Sequence, residues 1–308
     1  MKIAYSAPAK VILSGEHAVV YGKPALVSAI NLRLKFSLTN FARSYKDGKT
    51  NKEIYFINQK VKKYLNEQKI KFVDRQSNYK IESEIPIGRG LGSSAALSVA
   101  VVAAFLEFYT GRKFDKKTIN ELAYKIEKHF HKNPSGVDNI AACFGGLISF
   151  QINIKKNLDF KVPKNIEEKL FLIDSGKPKE TTKEMVNFVA TQNVANIFEK
   201  IEITTKAIIE SIKSENIDAF KKGLADNEKL LEDLGVVSDK TKKLLSSLSK
   251  FGVGKVTGAG GRKDGSGFIL FFADDSKKLI KYLSKIKILF YKFIPDNKGL
   301  RRISTLIN

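Results

Sequence analysis

A glycine-rich segment, PIGRGLGSSAAL, constrains the fold of this chain more than any other feature. Residues 79–85 before it alternate polar and apolar side chains, as in a half-buried strand, and residues 93–109 are apolar on every side, as in a buried helix. Gly88, Gly90 and Gly92 let the backbone approach a ligand closely, and a helix start offers N–H donors. The segment predicts a phosphate-binding turn; a plain strand-to-helix turn is the alternative, although it does not require three alternating glycines.

The two common nucleotide-binding motifs do not explain this segment. The GKT triplet at 48–50 lacks the upstream glycine of a P-loop because Arg43 occupies that position, and no GxGxxG sequence opens a helix pattern. The sequence therefore predicts a nucleotide site of a different type.

Strand and helix patterns alternate along the rest of the chain. Turns are expected at Gly15 and Gly22, between strands near the N-terminus. Further helices are predicted at 54–69, 116–131, within 180–250 and at 276–287. Further strands are predicted within 144–152, 169–178 and 254–272. This interleaving predicts an α+β fold without internal repeats. At 308 residues, two domains sharing a cleft are expected, with a boundary near residue 165.

The net charge of +22 raises the alternative of a nucleic-acid-binding protein. Lysine carries nearly all of this charge and is scattered along the chain, whereas arginine is the better ligand for bases and phosphates. A lysine-rich surface that attracts anionic substrates is the preferred interpretation, and nucleic acid is not an expected partner.

Cysteine content and hydropathy bear on the compartment. Cys143 is the single cysteine, so no internal disulfide can form, as is typical of a reducing compartment. The longest apolar run, 95–106, is shorter than the roughly 18 residues that cross a bilayer. We expect a cytoplasmic protein with no membrane association.

The segment PIGRGLGSSAAL resembles the phosphate loop of the GHMP kinases, small-molecule kinases that use ATP. PAKVILSGEHAVVYG at 8–22 and KVTGAGG at 255–261 resemble the other two motifs of this family, in the same order along the chain. Within the family, the first of these segments together with NPSGVDN at 133–139 is more similar to the members that phosphorylate mevalonate than to the galactokinases or the diphosphomevalonate decarboxylases.

The resemblance implies a fold and an activity. The expected fold has an N-terminal mixed-sheet domain with the phosphate loop at 1–165 and a ferredoxin-like C-terminal domain at 166–308, with the active site between them. The expected reaction moves the γ-phosphate of MgATP onto the C5 hydroxyl of mevalonate, a step of isoprenoid biosynthesis. A homodimer is left open as the assembly.

The resemblance implies that Asp138, in NPSGVDN, is the catalytic base and that Lys10 pairs with it. A carboxylate beside the attacking hydroxyl can accept its proton during phosphoryl transfer. Two alternatives remain: Ser135 and Asp138 have the spacing of a capping box, and Lys10 would be an exposed strand lysine in a lysine-rich chain.

Oxygen ligands suit Mg²⁺, which keeps several of its waters, so one carboxylate and one hydroxyl beside the phosphates suffice. Ser94 and Glu127 are the candidates, although a solvated helix edge would also explain Glu127. The residues expected to bind ATP are Pro86, Gly88, Arg89, Gly90, Leu91, Gly92, Ser93, Ser94, Ala95, Gly258, Gly260 and Gly261.

Glu16, His17 and Thr182 match positions that contact mevalonate in the family, by resemblance alone. The sequence departs from the family after Gly261, where residues 262–264 interrupt the usual glycine run. Arg262 would then be either a phosphate ligand or part of a solvated hairpin tip. A sibling kinase acting on phosphomevalonate or a sugar is the alternative enzyme.

Overall fold

The computed structural model describes residues 2–40, 51–130, 135–152, 154–158 and 160–303. The GKT triplet, residue 131 of the predicted third helix and the first two residues of NPSGVDN lie outside these ranges. Within them the strands are β1 Lys2–Ser14, β2 Ala25–Asn40, β3 Ser77–Ser83, β4 Leu147–Gln151, β5 Ile154–Asn157, β6 Leu170–Asp174, β7 Gly252–Thr257, β8 Phe268–Ala273, β9 Phe290–Lys292 and β10 Arg301–Arg302.

The helices connect and cover these strands. They are α1 Lys52–Glu67, α2 Ser93–Thr110, α3 Lys116–Phe130, α4 Val137–Phe144, α5 Lys164–Glu167, α6 Thr182–Ala190, α7 Ala195–Lys213, α8 Ile217–Asp233, α9 Asp239–Leu248 and α10 Ser276–Lys285, with short 3₁₀ turns at Ala18–Tyr21 and Ser249–Phe251. The α+β class is confirmed.

The first sheet has the order β10-β1-β2-β4-β5, and β3 also pairs with β2. The expected mixed sheet is antiparallel in every pair of these strands that the described residues form. The physical reason is that β1 and β2, like β4 and β5, follow each other through short connections that reverse the chain, whereas parallel neighbours need a long crossover.

The second sheet has the order β7-β8-β6-β9 and is also antiparallel. Along the chain its elements run strand, helices α6 to α9, two strands, helix α10 and strand. This is the β-α-β-β-α-β arrangement of a ferredoxin-like fold, with four helices in place of one in the first connection. The expected C-terminal architecture is confirmed.

Helix α2 is the central element of the apolar core. It has 18 residues with a mean hydropathy of 1.5, long and apolar enough to cross a membrane, yet 83% of it is buried inside the protein. It packs on β1, β2, α1, α3 and α4. Gly111 ends it in the left-handed conformation (φ 74°), as the sequence predicts. The apolar surface of α2 is therefore buried in the core of the protein.

The largest apolar cluster includes Phe36 and Val99 from the first half of the chain and Leu270 and Phe272 from the second. The two sheets are therefore joined by a shared core as well as by the loops described below. A domain boundary at 165/166 stays a proposal.

Candidate active site

The phosphate loop lies between β3 and α2. Gly88, Gly90 and Gly92 all have positive φ angles, of 71°, 85° and 75°, which only glycine adopts without strain. Gly92 is the N-cap of α2, and no side chain caps this helix start. The first N–H groups of a helix lack intrahelical partners, so the amides around Ser93 to Ala95 can bind an anion.

The glycine motif after β7 packs directly on this loop. A Cβ atom added to Gly90 would lie 2.9 Å from the carbonyl oxygen of Thr257, and one added to Gly258 would lie 3.1 Å from the Cα atom of Gly90. The second and third motifs of the sequence therefore meet backbone to backbone, an approach that side chains would prevent.

Lys10 lies at the other side of the loop. Its backbone N–H donates to the Leu91 carbonyl at 3.0 Å, and a Cβ on Gly92 would lie 2.9 Å from its Cγ. Its ammonium is 3.1 Å from Oδ1 of Asp138, and the two side chains are 5% and 39% exposed. The predicted pair is therefore present, and the alternative of an exposed strand lysine is wrong because β1 is buried on both faces.

Asp138 does not form the capping box that its spacing from Ser135 allows. Gly136 takes the left-handed conformation (φ 85°) and becomes the N-cap of α4, without a side-chain cap. This shifts the helix start by one residue, so Asp138 is the second helical residue and not the third. Its carboxylate is turned to Lys10 instead.

Glu127 and Ser94 also meet as predicted. The Ser94 hydroxyl donates to Oε1 of Glu127 at 3.0 Å, and the Ser98 hydroxyl donates to the same oxygen at 2.7 Å. Glu127 is only 4% exposed, so the alternative of a solvated helix edge is wrong. A buried carboxylate next to a hydroxyl at the phosphate loop is a donor set that fits Mg²⁺.

Glu16 and His17 lie in the turn after β1, against the third motif. The carboxylate of Glu16 and the ammonium of Lys255 form an ion pair in which both side chains are fully buried. Burial raises the pKa of Glu16, and Lys255 partly counters this. Nε2 of His17 lies 3.1 Å from the Ala259 carbonyl, and burial lowers the pKa of His17 to about 4.

Thr182 is the exposed first residue of α6. Its neighbour Thr181 is the N-cap and forms a capping box with Glu184. Contacts of Glu16, His17 and Thr182 with an acceptor remain predictions.

Arg89 and the residues after Gly261 have partners that the sequence did not indicate. The Arg89 guanidinium binds the carboxylate of Asp174 at the end of β6. The guanidinium of Arg262 lies over the Phe188 ring, 3.7 Å from its centroid, and Asp264 binds Lys240 at 2.7 Å. Arg262 is exposed, but its guanidinium is held on Phe188 of α6. This arrangement does not favour Arg262 as a phosphate ligand.

Two buried charged residues in and beside the third motif are not among the site residues predicted from the sequence. Lys255, the first residue of the motif, pairs with Glu16, and Glu228 on α8 accepts a hydrogen bond from the Val256 N–H at 2.7 Å. Burial raises the pKa of Glu228 to about 8. The sequence signal was a lysine at the centre of an apolar strand pattern, which is costly unless paired.

Comparison with known proteins agrees with this geometry. The family described as GHMP kinases N terminal domain matches residues 55–146. Together with the two sheets and the meeting of the three motifs, this match defines the class, a GHMP-type small-molecule kinase.

The relatives are more specific. The chain is 34% identical to the mevalonate kinase of Archaeoglobus fulgidus over 271 residues, which cover 83% of this chain and 88% of that protein. It is 31% identical to the mevalonate kinase of Methanocaldococcus jannaschii, over 90% of this chain and 95% of that protein. A crystal structure of mevalonate kinase superposes with a TM-score of 0.80 at 27% identity, over 96% of this chain and 99% of that one. The chain belongs to the mevalonate kinase family.

Proposed function

We propose that this protein transfers the γ-phosphate of ATP to the C5 hydroxyl of mevalonate, giving 5-phosphomevalonate and ADP. The observation that carries the proposal is the Lys10–Asp138 pair at the start of α4, held beside the phosphate loop by the Lys10 N–H. The mevalonate kinases named above, at 34% and 31% identity over most of the chain, favour mevalonate over a sugar as the acceptor and favour an enzyme over a nucleic-acid-binding protein.

Asp138 is the proposed base. Its carboxylate is partly exposed, so it can reach the acceptor hydroxyl and take its proton as the new O–P bond forms and the bond between the γ-phosphorus and the bridging oxygen breaks. Lys10 forms an ion pair with this carboxylate and adds positive charge next to the transferred phosphoryl group.

The phosphate loop holds the nucleotide through the N–H groups at the start of α2, whose dipole favours the negative charge. Ser94 and Glu127 would hold Mg²⁺, which neutralises charge on the phosphates. Gly258, Gly260 and Gly261 extend the loop surface on the opposite side.

His17 is proposed to contact mevalonate together with Glu16 and Thr182. With a pKa of about 4 its imidazole is neutral near pH 7. Nε2 faces a carbonyl oxygen and therefore donates, which leaves Nδ1 as an acceptor. A cytoplasmic location is also part of the proposal, supported by the buried Cys143, the single cysteine of the sequence.

The experiment measures ATP-dependent ADP release by the purified protein with Mg²⁺, comparing mevalonate, phosphomevalonate, galactose and homoserine in parallel. We expect turnover with mevalonate alone. Turnover with another of these acceptors would indicate a GHMP kinase of different acceptor specificity. The absence of ADP release with all four acceptors would contradict the proposal.

A further inference from the structure

The end of β6 and the loop after it, residues 174–178, are fixed by several hydrogen bonds to Ser266 and Gly267, the residues just before β8. The Ser175 N–H and hydroxyl both donate to the Gly267 carbonyl, at 2.9 and 2.8 Å, and the Gly267 N–H donates back to the Gly176 carbonyl at 3.0 Å. The Ser266 N–H donates to the Ser175 hydroxyl oxygen at 3.0 Å. The backbone of this loop therefore has one defined position.

The same loop is bound to the phosphate loop. Asp174 accepts from the Arg89 guanidinium and also from the Gly176 N–H, at 2.9 Å for the latter. A Cβ atom on Gly267 would lie 2.7 Å from the Arg89 carbonyl oxygen. Residues 174–178 are thus held at the first part of PIGRGLGSSAAL, although they continue a strand of the second sheet.

This position places Lys177 beside Gly88. A Cβ atom on Gly88 would lie 3.0 Å from Cε of Lys177 and 3.6 Å from its ammonium nitrogen. Lys177 is exposed, and among the residues that the structure describes its ammonium has neither an ion pair nor a hydrogen bond. The nearby Lys240, by contrast, is paired with Asp264. An unpaired cation therefore adjoins a loop that binds anions.

The three glycines of the loop have different neighbours, which gives the loop a direction. Gly92 adjoins Lys10, and so the end where transfer occurs; Gly90 adjoins the Thr257 carbonyl; and Gly88 adjoins Lys177. Lys177 is therefore at the end of the loop away from the Lys10–Asp138 pair. A nucleotide whose γ-phosphate lies at the Lys10 end would have its α- and β-phosphates, which ATP and ADP share, toward the Gly88 end.

We propose that Lys177 binds the α- or β-phosphate of the nucleotide from the second half of the chain, across the phosphate loop. The inference rests on the proposed function in that the loop binds a nucleoside triphosphate. It gives Lys177 a binding role and no part in proton or phosphoryl transfer. A contact made equally with ATP and with the transition state changes KM for ATP and leaves kcat unchanged.

The test compares Lys177→Met, Lys177→Arg and Lys179→Met. Lys179 is an exposed lysine two residues further along the chain, so its replacement by methionine removes the same charge at a nearby position. Calorimetric titration with ADP and steady-state kinetics are measured for each. Lys177→Met is expected to raise Kd for ADP and KM for ATP about tenfold, with kcat and KM for mevalonate within twofold of the wild type. Lys177→Arg should restore most of the affinity, and Lys179→Met should resemble the wild type.

Unchanged ADP affinity in Lys177→Met would overturn the inference, and so would an equal loss in Lys179→Met, which would indicate a general effect of net charge. A raised KM for mevalonate with normal ADP affinity would assign Lys177 to the acceptor instead. Because ADP binding needs no acceptor, the inference can be judged even if the wild-type protein phosphorylates none of the four acceptors.

Discussion

At the scale of single residues, the ion pair between Asp138 and Lys10 leads to a direct test of the proposed catalytic base. Asp138→Asn keeps the shape of the side chain but cannot accept the proton of the acceptor hydroxyl. We expect kcat to fall by about 10² to 10⁴, the usual contribution of a general base, while Kd for ADP stays within about twofold. Near-normal turnover would mean that Asp138 is only the ion-pair partner of Lys10 and not the catalytic base.

His17 predicts a dependence of stability on pH. Burial holds its pKa near 4 in the folded protein against 6.5 in the unfolded chain, so the unfolded chain takes up a proton first as pH falls. The stabilisation is complete above about pH 6.5 and is lost as pH falls toward 4. Between pH 7 and 4.5 the free energy of unfolding of the wild type should fall by about 2 kcal/mol more than that of His17→Gln.

Urea unfolding of the two proteins at both pH values measures this difference. Glutamine retains an N–H donor for the Ala259 carbonyl, so the comparison isolates the titration from the hydrogen bond. Parallel losses in the two proteins would show that His17 is not held neutral by the fold.

At the scale of elements, the contact between the phosphate loop and the third motif depends on absent side chains. Gly90→Ala would strain a backbone at φ 85° and place a Cβ 2.9 Å from the Thr257 carbonyl. Gly111→Ala meets similar strain at φ 74° but open space. Each should lose about 1 to 3 kcal/mol of stability, and only Gly90→Ala should also raise KM for ATP. Equal KM values in the two variants would contradict the loop contact.

Sequence patterns predicted most of these elements because their signals are local. The apolar run of α2 and the glycine that ends it lie within 20 residues of each other, from Gly92 to Gly111. The position of Asp138 was less readable, because the N-cap depended on whether Ser135 or Gly136 took the cap conformation. The first sheet was expected to be mixed; its antiparallel pairs include β2 with β4, which are distant in the sequence, and no local pattern shows such a pairing.

At the scale of the whole molecule, the ion pairs that connect the two halves of the chain could not be predicted from the sequence, although Arg89 and Glu16 were themselves candidate site residues. Arg89 and Asp174 are 85 positions apart, and Glu16 and Lys255 are 239 apart. In a chain with 54 lysines and arginines, an apolar strand pattern can indicate that Lys255 is paired, but no local pattern shows which residue is its partner. The sequence motifs predicted where the loops of the site lie along the chain. The ion pairs that bring these loops together are visible only in the folded structure.

The Lys255–Glu16 pair is the most buried of these connections. The Lys255 ammonium also donates to the Ile12 carbonyl of β1 at 3.4 Å, so it fastens β1 and the turn after it to β7. Lys255→Met would leave a buried carboxylate without its cation, and we expect a loss of about 3 to 5 kcal/mol in the free energy of unfolding. The double variant Lys255→Met, Glu16→Gln removes both charges and should recover part of that loss. Denaturant unfolding of the wild type, both single variants and the double variant measures the coupling. If the two single losses simply add in the double variant, the pair does not join the two halves, and the position of the His17 turn must depend on the shared apolar core instead.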